Sequence, residues 1–262
     1  MQSRLSISKK KTYTSSDYTN WLDLIIENGH SFKCLAISGG EPFILGDKLN
    51  KFCSEIREKY EKQHIELFSN AFWMNSEIEI SKYHTALSSI NNLQLSFYPD
   101  YIEKIGWQKL QDLKNYIKNK YNITVGTFQQ NGVKNFGQVY FFENPIEKNK
   151  NSQCPVKYCT QLRSDGYLYR CPYGYYLNTA IVSYGFNNGK DILFNLQEIK
   201  TKNIQDWYEK WPLDNCRYCG CGNASNSKWE SDNSIKDMNR SQYLTKISNL
   251  IGKNKMKIKK IF

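Results

Sequence analysis

Apolar runs of strand length begin near residues 34, 64, 93 and 123, about 30 residues apart, with a helical pattern in each gap. No other feature constrains the fold as strongly, because this is the length of a βαβ unit. Parallel neighbours need a long crossover, and such crossovers are right-handed. "CLAIS" (34–38), "HIELFS" (64–69), "LQLSF" (93–97) and "ITVGTF" (123–128) read as strands, with "QVYFFE" (138–143) as a fifth. "DYTNWLDLIIENG" (17–29) reads as a helix that Ser15 or Ser16 caps and Gly29 ends. "DKLNKFCSEIREKYEK" (47–62) places Leu49, Phe52, Cys53, Ile56 and Tyr60 on one stripe. "SEIEISKYHTALSSI" (76–90) is expected to be helical, and "WQKLQDLKNYIKNKY" (107–121) turns Leu110, Leu113 and Ile117 inward. The expected class is α/β, either a partial (β/α) barrel of parallel strands or an open doubly wound sheet. In both, ligands sit at the carboxyl ends of the strands. Those ends read "SGGEP", "SNAFW" and "SFYPD".

"SGGEP" is the most specific of the three. Gly39 and Gly40 let backbone approach a ligand closely and expose peptide N–H groups. Glu41 offers an acceptor to a cationic group, and Pro42 fixes the exit of the loop. A plain βα turn is the competing account of the Gly-Gly pair. Phe72 and Trp73, and in the second half Tyr173, Tyr175 and Tyr176, are aromatic candidates for lining a site or for core packing.

Eight cysteines occur, six of them after residue 150. Cys34, in an apolar strand, and Cys53, on an apolar helix stripe, read as core residues. The rest are Cys154, Cys159, Cys171, Cys216, Cys219 and Cys221. "CPVKYCTQLRSDGYLYRCPYGYY" (154–176) has the spacing C-x11-G-x4-C, with "SDG" suited to a tight hairpin turn. "CRYCGC" (216–221) follows roughly 40 residues later. Two such groups converge readily on one centre. Both an Fe–S cluster and a structural zinc ion take four thiolates, so spacing leaves the two open. The three histidines, His30, His64 and His84, have no triad-like neighbours and receive no role.

These stretches resemble the radical S-adenosylmethionine (radical SAM) superfamily over about residues 17–225. "ISGGEPFILGDKLNKF" is similar to the segment after that family's second strand, "IELFSNAFW" to its third strand end, and "LQLSFYPDYIEKI" to its fourth strand and following helix. The resemblance implies that Gly39, Gly40, Glu41 and Pro42, with Ser69, Asn70 and Ser96, hold S-adenosylmethionine. The cysteine-rich half resembles the SPASM or twitch extension. That implies one auxiliary 4Fe–4S cluster on Cys159, Cys171, Cys216 and Cys219, with Cys154 and Cys221 as alternates or the start of a second site. The implied organisation is a partial barrel over residues 1–148, a small Cys-rich auxiliary domain of β-hairpin and helix over 149–225, and a basic helical tail over 226–262.

One departure matters. The family ligates its catalytic cluster through C-x3-C-x2-C after a first strand, and only "MQSRLSISKKKTYTSSDY" stands there. Either that strand and loop belong to a longer chain, or the protein is a degenerate homologue. S-adenosylmethionine is therefore expected as cofactor only where such a loop is supplied. The residue 34–38 strand is then a sheet edge, covered by the chain itself or by a partner protein. Whether the chain catalyses is left open: a peptide or small metabolite is the expected substrate of an enzyme. The alternative is a non-catalytic Fe–S or zinc module that presents a substrate or docks on another protein.

The net charge of +11 reads as a lysine-rich solvated surface, and nucleic acid is disfavoured as a partner. The basic run "GKNKMKIKKIF" (252–262) reads as a frayed terminus. The start lacks the apolar core of a signal peptide and no run is long enough to span a membrane, so a cytoplasmic protein is expected.

Overall fold

The computed structural model describes residues 14–38, 41–127, 154, 159–171, 174, 193–213 and 216, and the backbone alone of 135–137 and 226–228. The chain divides into two compact units, Met1–Thr19 with Gly29–Lys134, and Asn20–Asn28 with Asn135–Phe262.

The first unit is the parallel sheet that the spacing calls for. β1 (Cys34–Ile37), β2 (His64–Ser69), β3 (Asn92–Leu95) and β4 (Thr124–Thr127) pair in that order, all parallel. The order never reverses, so the strands offer no doubly wound switch point. The parity of the side chains shows the consequence. Leu35, Ile37, Ile65, Leu67, Leu93, Leu95 and Val125, all odd-numbered, join one apolar core with residues of every intervening helix. Those helices are α2 (Asp47–Lys59), α3 (Glu77–Ser81), α4 (His84–Ser88), α5 (Pro99–Ile105) and α6 (Trp107–Tyr121). Leu49, Cys53, Ile56, Leu110, Leu113 and Ile117 lie in that core as the stripes require, with Phe52 and Tyr60 packed at its margin. The even-numbered positions, Cys34, Ala36, His64, Glu66, Phe68, Asn92, Gln94, Thr124 and Gly126, form the other face, which is mostly polar.

Several local expectations are corrected. Cys34 is exposed on β1, the first strand of the described sheet, and is not a core residue, whereas Cys53 is fully buried. Helix α1 runs from Ser15 to Glu27, and the residue before it, Thr14, exchanges bonds with Asp17: its N–H and hydroxyl donate to Asp17 Oδ2 at 2.7 and 2.9 Å. Residues 76–90 form two helices, not one. The break has a cause in α2: Asn50 Nδ2 donates to Lys82 O at 2.8 Å and its Oδ1 accepts from Ala86 N at 3.0 Å. One amide thus satisfies a carbonyl and an N–H that the interruption frees. Strand β9 (Asn226–Lys228) falls within the stretch expected as a helical tail, and pairs antiparallel with β5 (Asn135–Gly137). The expected strand at 138–143, the aromatic residues 173, 175 and 176, and the basic run 252–262 lie outside the described residues.

In the second unit, β6 (Gln161–Leu162), β7 (Tyr167–Tyr169) and β8 (Leu193–Asn195) form an antiparallel sheet. "SDG" makes the expected hairpin turn, with Gly166 N donating to Arg163 O at 3.0 Å. Leu168, Phe194, Leu196, Ile199 and Ile204 pack with Ile25 of α1 into a second core, and α7 (Ile204–Glu209) contributes Trp207 to it. Trp21 Nε1 donates to Ser164 O at 3.1 Å, so its ring lies across the turn. Among the described residues no helix is long and apolar enough to cross a membrane.

The turn yields a test. Gly166 has φ 83°, and a Cβ there would lie 2.6 Å from Trp21 Cζ2. Gly29 has φ 81° with nothing nearby. Gly29→Ala should cost only the left-handed strain, about 1–2 kcal/mol. Gly166→Ala adds overpacking and should cost about 2–4 kcal/mol. Equal shifts in urea unfolding midpoint would mean that the indole simply moves aside.

Candidate functional site at the strand ends

At the carboxyl end of β1, Glu41 caps a 3₁₀ turn, Pro42–Leu45, its Oε1 accepting from Phe43 N at 3.1 Å. Pro42 is buried at the first position of this turn, where its fixed φ fits and a missing N–H costs nothing. Phe43 is anchored behind it, stacked on Trp73 at 3.7 Å and edge-on to Tyr83 at 4.7 Å, and Tyr83 OH donates to Phe43 O at 2.8 Å.

The same carboxylate reaches the end of β2. Ser69 Oγ donates to Glu41 Oε1 at 3.0 Å and Asn70 N donates to Oε2 at 2.7 Å. Ser69 Oγ also accepts from Ala71 N at 3.0 Å and from Trp73 Nε1 at 2.8 Å. A hydroxyl has one proton and two lone pairs, so that of Ser69 is saturated by the protein itself. Asn70 Oδ1 accepts from Phe72 N at 3.1 Å, closing a turn that leads to Ala71 at φ 66°. A buried alanine in the left-handed region is strained, and the surrounding bonds hold it there. Ser96 extends the sheet ladder, its N–H donating to Ser69 O at 2.8 Å.

The site's electrostatics follow from this packing. Burial pushes the Glu41 carboxyl above its ordinary value, and the donated bonds from Asn70, Phe43 and Ser69 oppose the rise without cancelling it. Burial first, then the Glu41 charge, raises the phenol of Tyr98. Phe72 is 48% exposed, lying parallel to Tyr98 at 6.1 Å and edge-on to Tyr101 at 4.9 Å. It presents an aromatic surface at this end of the sheet. Trp73, in contrast, is core packing.

Thus Glu41, Pro42, Ser69, Asn70 and Ser96 come together at three adjacent strand ends. Gly39 and Gly40 lie outside the described residues, as do Cys219 and Cys221.

Of the remaining thiols, Cys171 is buried, Cys154 and Cys216 are half-buried and Cys159 is exposed. Partial burial, then the charge of Cys154, raises the Cys159 thiol. Cys171 and Cys216 share a neighbour that the sequence reading missed. Arg170 is 1% exposed, donates Nη2–H to Tyr208 O at 2.6 Å, and lies over the rings of Tyr208 at 4.2 Å and Trp211 at 5.2 Å. Burial lowers its pKa, while Tyr208, Cys171 and Cys216 favour its charge. The position directly before Cys171 at the end of β7 was its only sequence signal.

No model of a known protein family matches the chain, and no curated protein matches it.

Glu41 gives a two-part prediction. Glu41→Ala leaves the donors of Phe43, Ser69 and Asn70 without their acceptor and should cost about 2–3 kcal/mol. Glu41→Gln keeps one oxygen but turns an NH₂ toward a donor, and should also destabilise. The two forms differ in pH response. A carboxyl whose folded pKa is raised contributes less stability as pH rises above the ordinary value of 4.5. The advantage of wild type over Glu41→Gln should therefore shrink as pH rises through that window. A constant gap in denaturant titrations from pH 4 to pH 7, about the span of an acid's transition, would show that Glu41 ionises normally.

Proposed function

We propose that the chain is a radical-SAM-type iron–sulfur protein, with an arc of (β/α) barrel and an auxiliary 4Fe–4S site. The observation that carries this reading is the junction of Glu41 with Ser69 and Asn70 at neighbouring parallel strand ends. Helices on one face and strands in unreversed order suit a barrel segment, whose ligands lie at that end.

The donor set fits part of the expected cofactor contact. A carboxylate has about four lone-pair positions, and three of them accept bonds from the protein. Among the described residues Glu41 Oε2 keeps one for an ammonium such as that of S-adenosylmethionine, beside the Asn70 N–H that donates to it. Ser69 serves by fixing Glu41, not by touching a ligand. When bound to a reduced cluster, S-adenosylmethionine supplies one-electron cleavage chemistry. The residues here orient it, and Phe72 offers a flat apolar surface beside the site. In the second unit, Cys159, Cys171, Cys216 and Cys219 would hold the auxiliary cluster, with Cys154 and Cys221 as alternates, and Arg170 would offset the charge of the thiolates.

A second reading is a non-catalytic module that carries iron–sulfur or zinc and docks on another protein. It is favoured by a specific fact: none of the eight cysteines forms a C-x3-C-x2-C triplet.

Anaerobically purified protein should contain iron and sulfide in near-equal amounts. Cys171→Ala and Cys219→Ala should each lose most of it, while Cys53→Ala keeps it. Zinc without sulfide would overturn the cluster assignment. With a strong reductant, this chain alone should bind S-adenosylmethionine weakly and release no 5′-deoxyadenosine. Cleavage by this chain would require a cluster for which no cysteine triplet exists, and would refute that part of the reading.

A further inference from the structure

The opposite end of the same sheet carries a second constellation, on the polar face, opposite the one that α2 to α6 cover. Cys34 and His64 are the first residues of β1 and β2 and are paired in register. Glu66 follows His64 by two positions, so all three side chains leave the sheet on one side. Their donor atoms, one from each residue, all lie within 4.8 Å of one another, and His64 Nε2 stands 3.4 Å from Glu66 Oε1. We propose that Cys34, His64 and Glu66 form a binding site for a single zinc-class divalent cation, independent of the proposed cofactor site at the other end of the strands.

The donor chemistry suits that ion. One thiolate, one imidazole and one carboxylate are the ligand types of zinc, and three protein ligands leave a fourth position for water. With the thiol proton released to solvent on coordination, the two anionic ligands neutralise the ion. Hard cations such as magnesium and calcium prefer all-oxygen sets and are disfavoured here.

The ligands are also positioned from behind. Asn92, directly across from Glu66 on β3 and 8% exposed, donates Nδ2–H to Glu66 Oε1 at 2.8 Å. Among the described residues its Oδ1 has no hydrogen-bond partner. A buried carboxamide kept with one orphaned end is explained by the work of its other end, which orients Glu66. The backbone on both sides of His64 is held as well. Arg57 Nη1 donates to Gln63 O at 2.9 Å, Ile65 N donates to Asn91 Oδ1 at 2.9 Å, and Arg57 Nη2 donates to the same Oδ1 at 2.6 Å. Outer-shell support of this kind accompanies metal sites and fixes ligand orientation. His64 is exposed and Cys34 at least partly so, which leaves their side chains free to rotate toward a shared ion.

Cobalt(II) titration of the full chain is the test, because thiolate–cobalt charge transfer reports the cysteine. The other cysteines can also take cobalt, so the readout is a difference. Cys34→Ala and His64→Ala should each bind one cobalt fewer per chain than wild type. Cys159→Ala should leave this site's share intact, whatever it does to the cluster region. Glu66→Gln keeps the side-chain shape and should weaken the same site about tenfold or more. Should an alanine variant fail to fold, Glu66→Gln decides alone. Unchanged stoichiometry in the two alanine variants, or unchanged affinity in Glu66→Gln, overturns the site. Failure here leaves the iron and sulfide content untouched, so it is distinct from failure of the proposed function.

Discussion

Four parallel strands in unreversed order impose one condition on everything else in the first unit. Each right-handed crossover must return on the same side, so one face receives all the helices. Burial then follows residue parity, because side chains alternate along a strand. Odd positions supply the apolar core and even positions stay polar. The strand ends inherit the same division. At the carboxyl ends the chain leaves through turns whose polar groups have to be satisfied locally, and Glu41 satisfies three of them at once. At the amino ends the even face gathers Cys34, His64 and Glu66.

The Glu41 junction shows how a half-buried acid is kept ionisable. Desolvation alone would favour the neutral form. Three donors, two of them backbone amides, oppose that and share the charge. The strained φ of Ala71 is the geometric counterpart: the turn after β2 is bent so that Asn70 N points at Oε2 and Trp73 Nε1 reaches Ser69. An arrangement so heavily bonded is preorganised. It presents what remains of its acceptor capacity in a fixed direction, which is what recognition of a cation needs.

The parts of this fold that are periodic were legible in the sequence. The βαβ spacing located all four parallel strands, the 3.6-residue stripes located Leu49, Cys53, Ile56, Leu110, Leu113 and Ile117, and "SDG" located its turn, because each depends on residues near one another in the chain. What was not legible depends on single long-range hydrogen bonds. Nothing near residues 82–86 announces a helix break; the reason is Asn50 on another helix. Nothing around Arg57 announces that it joins the end of α2 to the starts of β2 and β3. Cys34 was misplaced because an apolar run does not reveal which of its residues face the core: Leu35 and Ile37 pack against it, while Cys34 takes the other face. The one signal that could have joined it to His64 is their 30-residue separation at equivalent strand starts, which becomes contact only once the register is known.

The thiol-rich unit poses a narrower physical question, which Arg170 helps to frame. A guanidinium buried to 1% exposure costs solvation that its ring contacts return only in part. Anionic sulfur nearby changes that balance, and Cys171 and Cys216 already favour its charge. Four thiolates around zinc carry a formal charge of roughly −2, and so do four thiolates around an oxidised 4Fe–4S core, roughly −2. Either centre would be stabilised by a buried cation, so Arg170 is compatible with both and selects neither. Selection therefore rests on inorganic sulfide, which an iron–sulfur cluster contains and a zinc thiolate site does not. That is why the proposed function turns on sulfide content more than on which cysteines hold the metal.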